Sequence, residues 1–288
     1  MHSLALQYNG TVWAWGGNSS GQIGDGSTTN RTTPTQVSNL GNIIAIAAGN
    51  SHSLALREDG TVWAWGSNSY GQLGDETTTK RTTPVQVSNL TDIVAISAGS
   101  SHSLALKSDG TVWAWGYNSS GQLGDGTTTH RLTPTQVLNL THVTSISTKG
   151  DHSMAIQDSS VWTWGSNTYG QLGDGTTTKR LTPVKVNIEN VVAIAAGGFH
   201  SLIIKSDGTV WGWGRNQQGQ LGDNTTTNRL QPVQTQSLND VISISAGINH
   251  SIALQSDGNV WTWGYNVYGQ LGDGSTINSA TPQWVWQE

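Results

Sequence analysis

Histidines 2, 52, 102, 152, 200 and 250 open six closely similar segments, spaced 50, 50, 50, 48 and 50 residues apart. A period of this length is one supersecondary unit that buries its apolar face only against its neighbours, so the chain folds as a ring or stack of like units. Each unit also carries one proline, from Pro34 to Pro282, and a pair of tryptophans two residues apart. The first three repeats are the most alike, as recent duplication or consensus engineering leaves them.

Four strands are expected per repeat. In the second repeat the inner strand is Ile44–Gly49, built of small residues suited to a crowded centre, and the second strand is His52–Leu56. Asp59-Gly60 supplies a hairpin turn into the third strand, Thr61–Trp65, whose alternation puts Trp63 and Trp65 on one face. After a long loop, Pro84–Val87 forms the outer strand, where an edge tolerates proline. Asp158-Ser159-Ser160 shortens the turn of the fourth repeat by one residue and is expected to alter that hairpin. No segment keeps a helical period.

The fold class expected is therefore all-β: a propeller of four-stranded antiparallel blades, with repeats at approximately 1–43, 44–93, 94–143, 144–191, 192–241 and 242–288 of a single domain. Inner strands are expected around Ile46, Ile96, Ile146, Ile194 and Ile244, so the first blade lacks one. A closed six-bladed ring with that blade incomplete is the expected arrangement, with self-association through the seam, or a longer or engineered parent chain, as ways to cover the open edge.

The strings AAGNSHSLALREDGTVWAWGSNSYGQLGD and AAGGFHSLIIKSDGTVWGWGRNQQGQLGD resemble the repeat of the regulator of chromosome condensation family over essentially the whole chain. The resemblance implies a β-propeller. Familiar members have seven blades, and this chain has six repeats. Some bacterial relatives inhibit β-lactamases through a propeller face, and others act as nucleotide exchange factors through a specific wedge, for which no matching insertion occurs here. The plant ultraviolet-B receptor is a further relative, but its sensing tryptophans precede the repeat histidine. Those places hold Asn50-Ser51, Ser100-Ser101, Gly150-Asp151, Gly198-Phe199 and Ile248-Asn249, so a photoreceptor is rejected.

The repeated residues read as scaffold. The tryptophan pairs suit packing between blades. The histidines are spread one per blade rather than convergent on one ion, and are expected to bond backbone at a strand start. Each Gly-Gln-Leu-Gly-Asp loop offers one aspartate where calcium needs several oxygens, and in five repeats an arginine follows six residues later (Asp75 and Arg81, for example), which reads as a polar clasp. No catalytic residue, metal or cofactor is expected, and the chain is read as a non-enzyme.

The variable positions carry the functional expectation. In an antiparallel blade the inner-to-second and third-to-outer loops lie on the same face. Tyr70, Tyr117, Tyr169, Tyr265, Tyr268 and Arg215 fall in the third-to-outer loops, and Phe199 and Ile248 in the inner-to-second loops. The equivalent positions elsewhere hold Ser20, Gly17, Ser120 and Arg215, so the fold does not demand a tyrosine there. Rigid aromatics with an arginine anchor protein interfaces, so these eight residues are the expected partner-binding set of an interaction scaffold. A carbohydrate-binding propeller is the alternative, and an exchange factor a lesser one. With 13 Lys and Arg against 18 Asp and Glu, no nucleic-acid partner is expected. No apolar run would span a bilayer, and MHSLALQYNG has no signal-peptide pattern. Low charge and absent cysteine fit a module of an exported bacterial protein, with the compartment left open.

Overall fold

A computed structural model describes residues 1–285, in which every regular element is a strand. Six antiparallel sheets run in sequence order, and the chain clusters into two compact units, Met1–Ile146 and Ser147–Glu288. No helix is long and apolar enough to cross a membrane among the described residues.

The first unit holds one three-stranded and two four-stranded blades. The three-stranded blade comprises His2–Leu6, Val12–Gly16 and Arg31–Gln36, so the inner strand is the missing one, as the sequence implies. The second blade runs Ile43–Ala48, His52–Arg57, Val62–Gly66 and Arg81–Gln86, and the third repeats it from Ile93 to Gln136. The second unit holds three four-stranded blades with inner strands Val143–Thr148, Val191–Ala196 and Val241–Ala246, the unit boundary falling within the first of these. This is the strand pattern of β-propeller blades, with five inner strands at the expected places.

Local chemistry explains where strands differ from expectation. The outer strand starts at Arg81, three residues before Pro84. Gly66 pairs with Arg81 and Ala64 with Val85, so the proline sits in a bulge where its missing N–H breaks no ladder bond. In the fourth blade Gln157 pairs with Ser160 across a two-residue turn, Asp158 and Ser159 both adopting left-handed φ of 50° and 56°. That is the mirror-image turn whose twist matches a tight hairpin, so the shortened sequence does alter this connection. Four of the inner strands open with a second bulge: in the second blade Ile43 pairs with Arg57 and Ala45 with Leu56, leaving Ile44 unpaired and 56% exposed.

The core lies between blades rather than within them. Trp65 packs onto Val12, Ala14, Ile23 and Val37 of the preceding blade, and Trp115 onto Leu54, Val62, Leu73 and Val87. Trp213 and Trp263 do the same in the second unit, against Met154 and Val161, and against Leu202 and Val210. All four are fully buried, whereas Trp15 of the three-stranded blade is half-buried. The expected inter-blade role of the second tryptophan of each pair holds for these four.

A buried polar relay accompanies them. The carbonyl of Gln22 accepts from Trp65 Nε1 at 2.9 Å and from Ser53 Oγ at 2.9 Å, and Gln72, Gln171 and Gln220 serve the following blades in the same way. Because Ser103 Oγ donates to Gln72, its lone pair must accept from His52 Nε2, 3.1 Å away. The histidine thus bonds a serine hydroxyl one repeat ahead, and a backbone hydrogen bond from the His102 residue of that repeat also acts on the His52 ring, in line with the backbone partner expected from sequence. His2 to Ser53, His152 to Ser201 and His200 to Ser251 repeat the contact at 2.7 to 3.0 Å. The ring lies against Gly49, where any Cβ would collide with it, and Gly197 and Gly247 stand in the same place against His200 and His250, whereas the fourth blade has Lys149 at this position.

Candidate functional site

The long third-to-outer loops are held rigid by one repeated device. Asn68, buried, donates from Nδ2 to Asp75 Oδ1, Thr77 O and Thr79 O, while its Oδ1 accepts from Leu73 N. Asp75 Oδ2 receives both Nε and Nη2 of Arg81, at 2.8 and 2.7 Å. Burial alone would raise the Asp75 carboxyl, but the bonds from Thr77 and Arg81 outweigh it and hold it below its ordinary 3.8. The clasp expected from the Asp-to-Arg spacing therefore exists, around Asp25, Asp75, Asp125, Asp174 and Asp223, and it consumes the carboxylate oxygens a cation would need. The last repeat has Ser279 in place of the arginine. The asparagine and glutamine of the loop are the parts that sequence reading missed, although both recur in every repeat.

Within each blade the two loop types meet at one edge, as the topology requires. The backbone N–H of Tyr117 donates to Ser101 O, that of Arg215 to Phe199 O and that of Tyr265 to Asn249 O, all at 2.9 Å. Tyr117 and Arg215 are thus carried on clasped loops and tied by backbone bonds to the inner-to-second loop of their own blade.

In the first unit Tyr70 and Tyr117, from adjacent blades, meet edge to face with centroids 4.8 Å apart. His130 completes the group: it stacks on Tyr117 at 4.9 Å and meets Tyr70 edge-on at 5.1 Å. Its Nδ1 accepts from Asn118 N at 3.0 Å, the task done by Asn30, Asn228 and Asn278 in other blades. His130 was not foreseen, and comparing the last residue of each Thr-rich loop across repeats is the signal that finds it.

In the second unit Tyr169 and Phe199 meet edge to face at 5.6 Å, and the Arg215 guanidinium lies over both rings, 5.3 and 5.6 Å from their centroids. Ile248 lies against Gly198, the residue before Phe199, and is 39% exposed. Tyr265 and Tyr268 form a separate edge-to-face pair at 6.1 Å, with Tyr268 almost wholly exposed. The eight expected residues therefore fall into a tyrosine pair with His130, a Tyr-Phe-Arg group beside Ile248, and a second tyrosine pair. Val267 and Ile277 on the same loop as Tyr268 are also exposed, replacing the Ser, Thr or Gln of other repeats, and belong with them.

The opposite edge of the blades carries a different surface. Ile44 and Val94 in the first unit, and Val192 and Ile242 in the second, are each more than half exposed at the inner-strand bulges. In the second unit Val192 and Ile242 border a shallow groove of about 510 Å³ that also takes in Lys205, Asp207 and Asp240.

The profile of the RCC1-like domain matches residues 1–286. Among solved structures, that of Kap60 bound to yeast RCC1 (Prp20) is similar at 27% identity and a TM-score of 0.88, covering 100% of this chain and 73% of the other. Prp20p from Saccharomyces cerevisiae, described with its binding to Gsp1p and histones, is 26% identical with a TM-score of 0.87, over 100% and 75% of the two chains. Human WBSCR16 is 25% identical with a TM-score of 0.89, over 99% and 79%. With strands, inter-blade tryptophans and loop motif all repeated from Met1 to the last blade, the chain belongs to the RCC1-like domain family.

Proposed function

We propose that this chain is a non-catalytic interaction scaffold whose clasped loops present aromatic groups to a protein partner. The observation carrying this reading is that Tyr70, Tyr117, Tyr169 and Arg215 sit on third-to-outer loops clasped by residues that recur in those repeats, with Phe199 and Ile248 beside them on the inner-to-second loops and Tyr265 and Tyr268 on the last such loop. Pre-ordered aromatics lose little entropy when a partner covers them. The yeast relative is described in complex with Kap60 and by its binding to Gsp1p and histones, all proteins, which favours the same class of partner here.

A carbohydrate platform fits less well. Sugars stack on an open ring face, whereas Tyr169 and Phe199 turn edge to face and are topped by Arg215. An exchange factor would also be a protein-binding propeller, and differs in what the bound partner then does.

The test is capture by the chain against capture by a variant carrying Tyr117→Ala, Phe199→Ala and Tyr265→Ala. Its melting temperature is expected to stay within a few degrees of the parent, because none of the three is fully buried. Partner capture is expected to fall at least tenfold, on the order of the loss of two hot-spot side chains. Undiminished capture by a folded variant refutes the reading.

A further inference from the structure

Arg215 differs from every other arginine of the chain. Arg31, Arg81, Arg131, Arg180 and Arg229 are each clasped by an aspartate of their own loop, and Arg57 lies 4.0 Å from Asp59. Arg215 has no carboxylate partner among the described residues; its one side-chain bond is from Nε to Gln217 Oε1, at 3.0 Å. That bond, with the rings of Tyr169 and Phe199 beneath, fixes the plane of the guanidinium and leaves the two terminal nitrogens to donate. Two parallel N–H groups on one fixed plane match the two oxygens of a carboxylate.

The surroundings favour the same ligand. On the loops of this edge in the second unit, Asp174 and Asp223 are paired with Arg180 and Arg229, and the other charged residues are Lys149, Lys179 and Arg215 with Asp151 and Asp273. A chain of formal charge -5 thus keeps a small local excess of cations here. A phosphate would need more donors than one guanidinium end supplies, whereas Phe199 and Ile248 beside the arginine offer apolar contact to the rest of a side chain.

We infer that Arg215, held on Tyr169 and Phe199, is a carboxylate-recognition site that takes an aspartate or glutamate of a protein partner next to an aromatic or aliphatic residue. The inference rests on reading this loop surface as protein-binding and names the partner's chemistry.

A random peptide library displayed on phage and selected against the whole chain tests it. Selected peptides are expected to share Asp or Glu beside an aromatic or aliphatic residue. Their affinity should fall about tenfold or more on Arg215→Gln, and equally on exchange of the peptide's Glu for Gln. Arg215→Lys should restore little, since a lysine cannot form the paired bonds. Full affinity with lysine overturns the paired geometry. Competition by inorganic phosphate well above that by acetate at equal ionic strength overturns the carboxylate assignment. Peptides that need Phe199 but ignore Arg215 and lack acidic residues overturn this inference and leave the loop-surface reading standing. If no selected peptide depends on Phe199 or Arg215, both fall.

Discussion

Trp115→Ala is expected to destabilise the first unit by about 3–5 kcal/mol, the usual cost of removing a large aromatic from a closed core. Trp115 is fully buried, fills the space between two blades against Leu54, Val62, Leu73 and Val87, and donates its Nε1 to Gln72 O at 2.9 Å. The cavity term dominates, because Gln72 O still accepts from Ser103 Oγ and is not orphaned. Trp113→Ala, two residues away on the same strand face, should cost clearly less: Trp113 is half-buried and its Nε1 bonds only Thr111 of its own blade. Urea unfolding of the two variants checks the ranking. Equal losses would mean that the blades are not held together through the second tryptophan.

The second large effect is an acid instability carried by the histidine relay. Burial, with the neighbouring His102 and His2 adding to it, pushes His52 down to about 3, and burial does the same to His102 and His200. These rings are neutral in the folded state, whereas unfolded histidine takes up a proton near 6.5. Between those values the unfolded chain binds more protons, so stability falls as pH drops through that window and is fully present above it. At about pH 5 each ring costs about 2 kcal/mol relative to neutral pH, from roughly 1.4 kcal/mol per pH unit. His52 and His102 together then remove about 4 kcal/mol from the first unit, a large part of an ordinary domain's stability. The loop aspartates, held below their ordinary range, weaken the fold only at lower pH still. Urea midpoints at about pH 7.5 and about pH 5 measure the loss, and His102→Asn should flatten the slope. A midpoint indifferent to pH would contradict the neutral, buried relay.

Repetition made most of the scaffold legible from sequence. Four strands per blade, the absent first inner strand, the altered fourth hairpin and the Asp-to-Arg clasp all follow from residues that recur in register. What stayed hidden depends on how one repeat lies against the next. His52 and Ser103 are separated by a full repeat, and no local pattern says that the ring reaches forward to the next blade. The meeting of Tyr70 with Tyr117, and of Tyr169 with Phe199 and Arg215, likewise exists only once adjacent blades are stacked. His130 escaped notice because at its position Nδ1 replaces the oxygen of an asparagine, so the change reads as conservative until the ring is seen on Tyr117. Ile44 fits an inner strand by composition, and only the bulge, repeated at Val94, Val192 and Ile242, turns such residues out.

Those exposed aliphatics define the rival surface, and a footprint of the bound state separates the two. Amide hydrogen exchange of the chain with and without its captured protein partner is expected to show new protection in the inner-to-second and third-to-outer loops, around Tyr117 and His130 in the first unit and around Phe199, Arg215 and Ile248 in the second. Protection confined to the opposite edge, at the inner-strand starts around Ile44, Val94, Val192 and Ile242 and the hairpins beside them, would contradict the account.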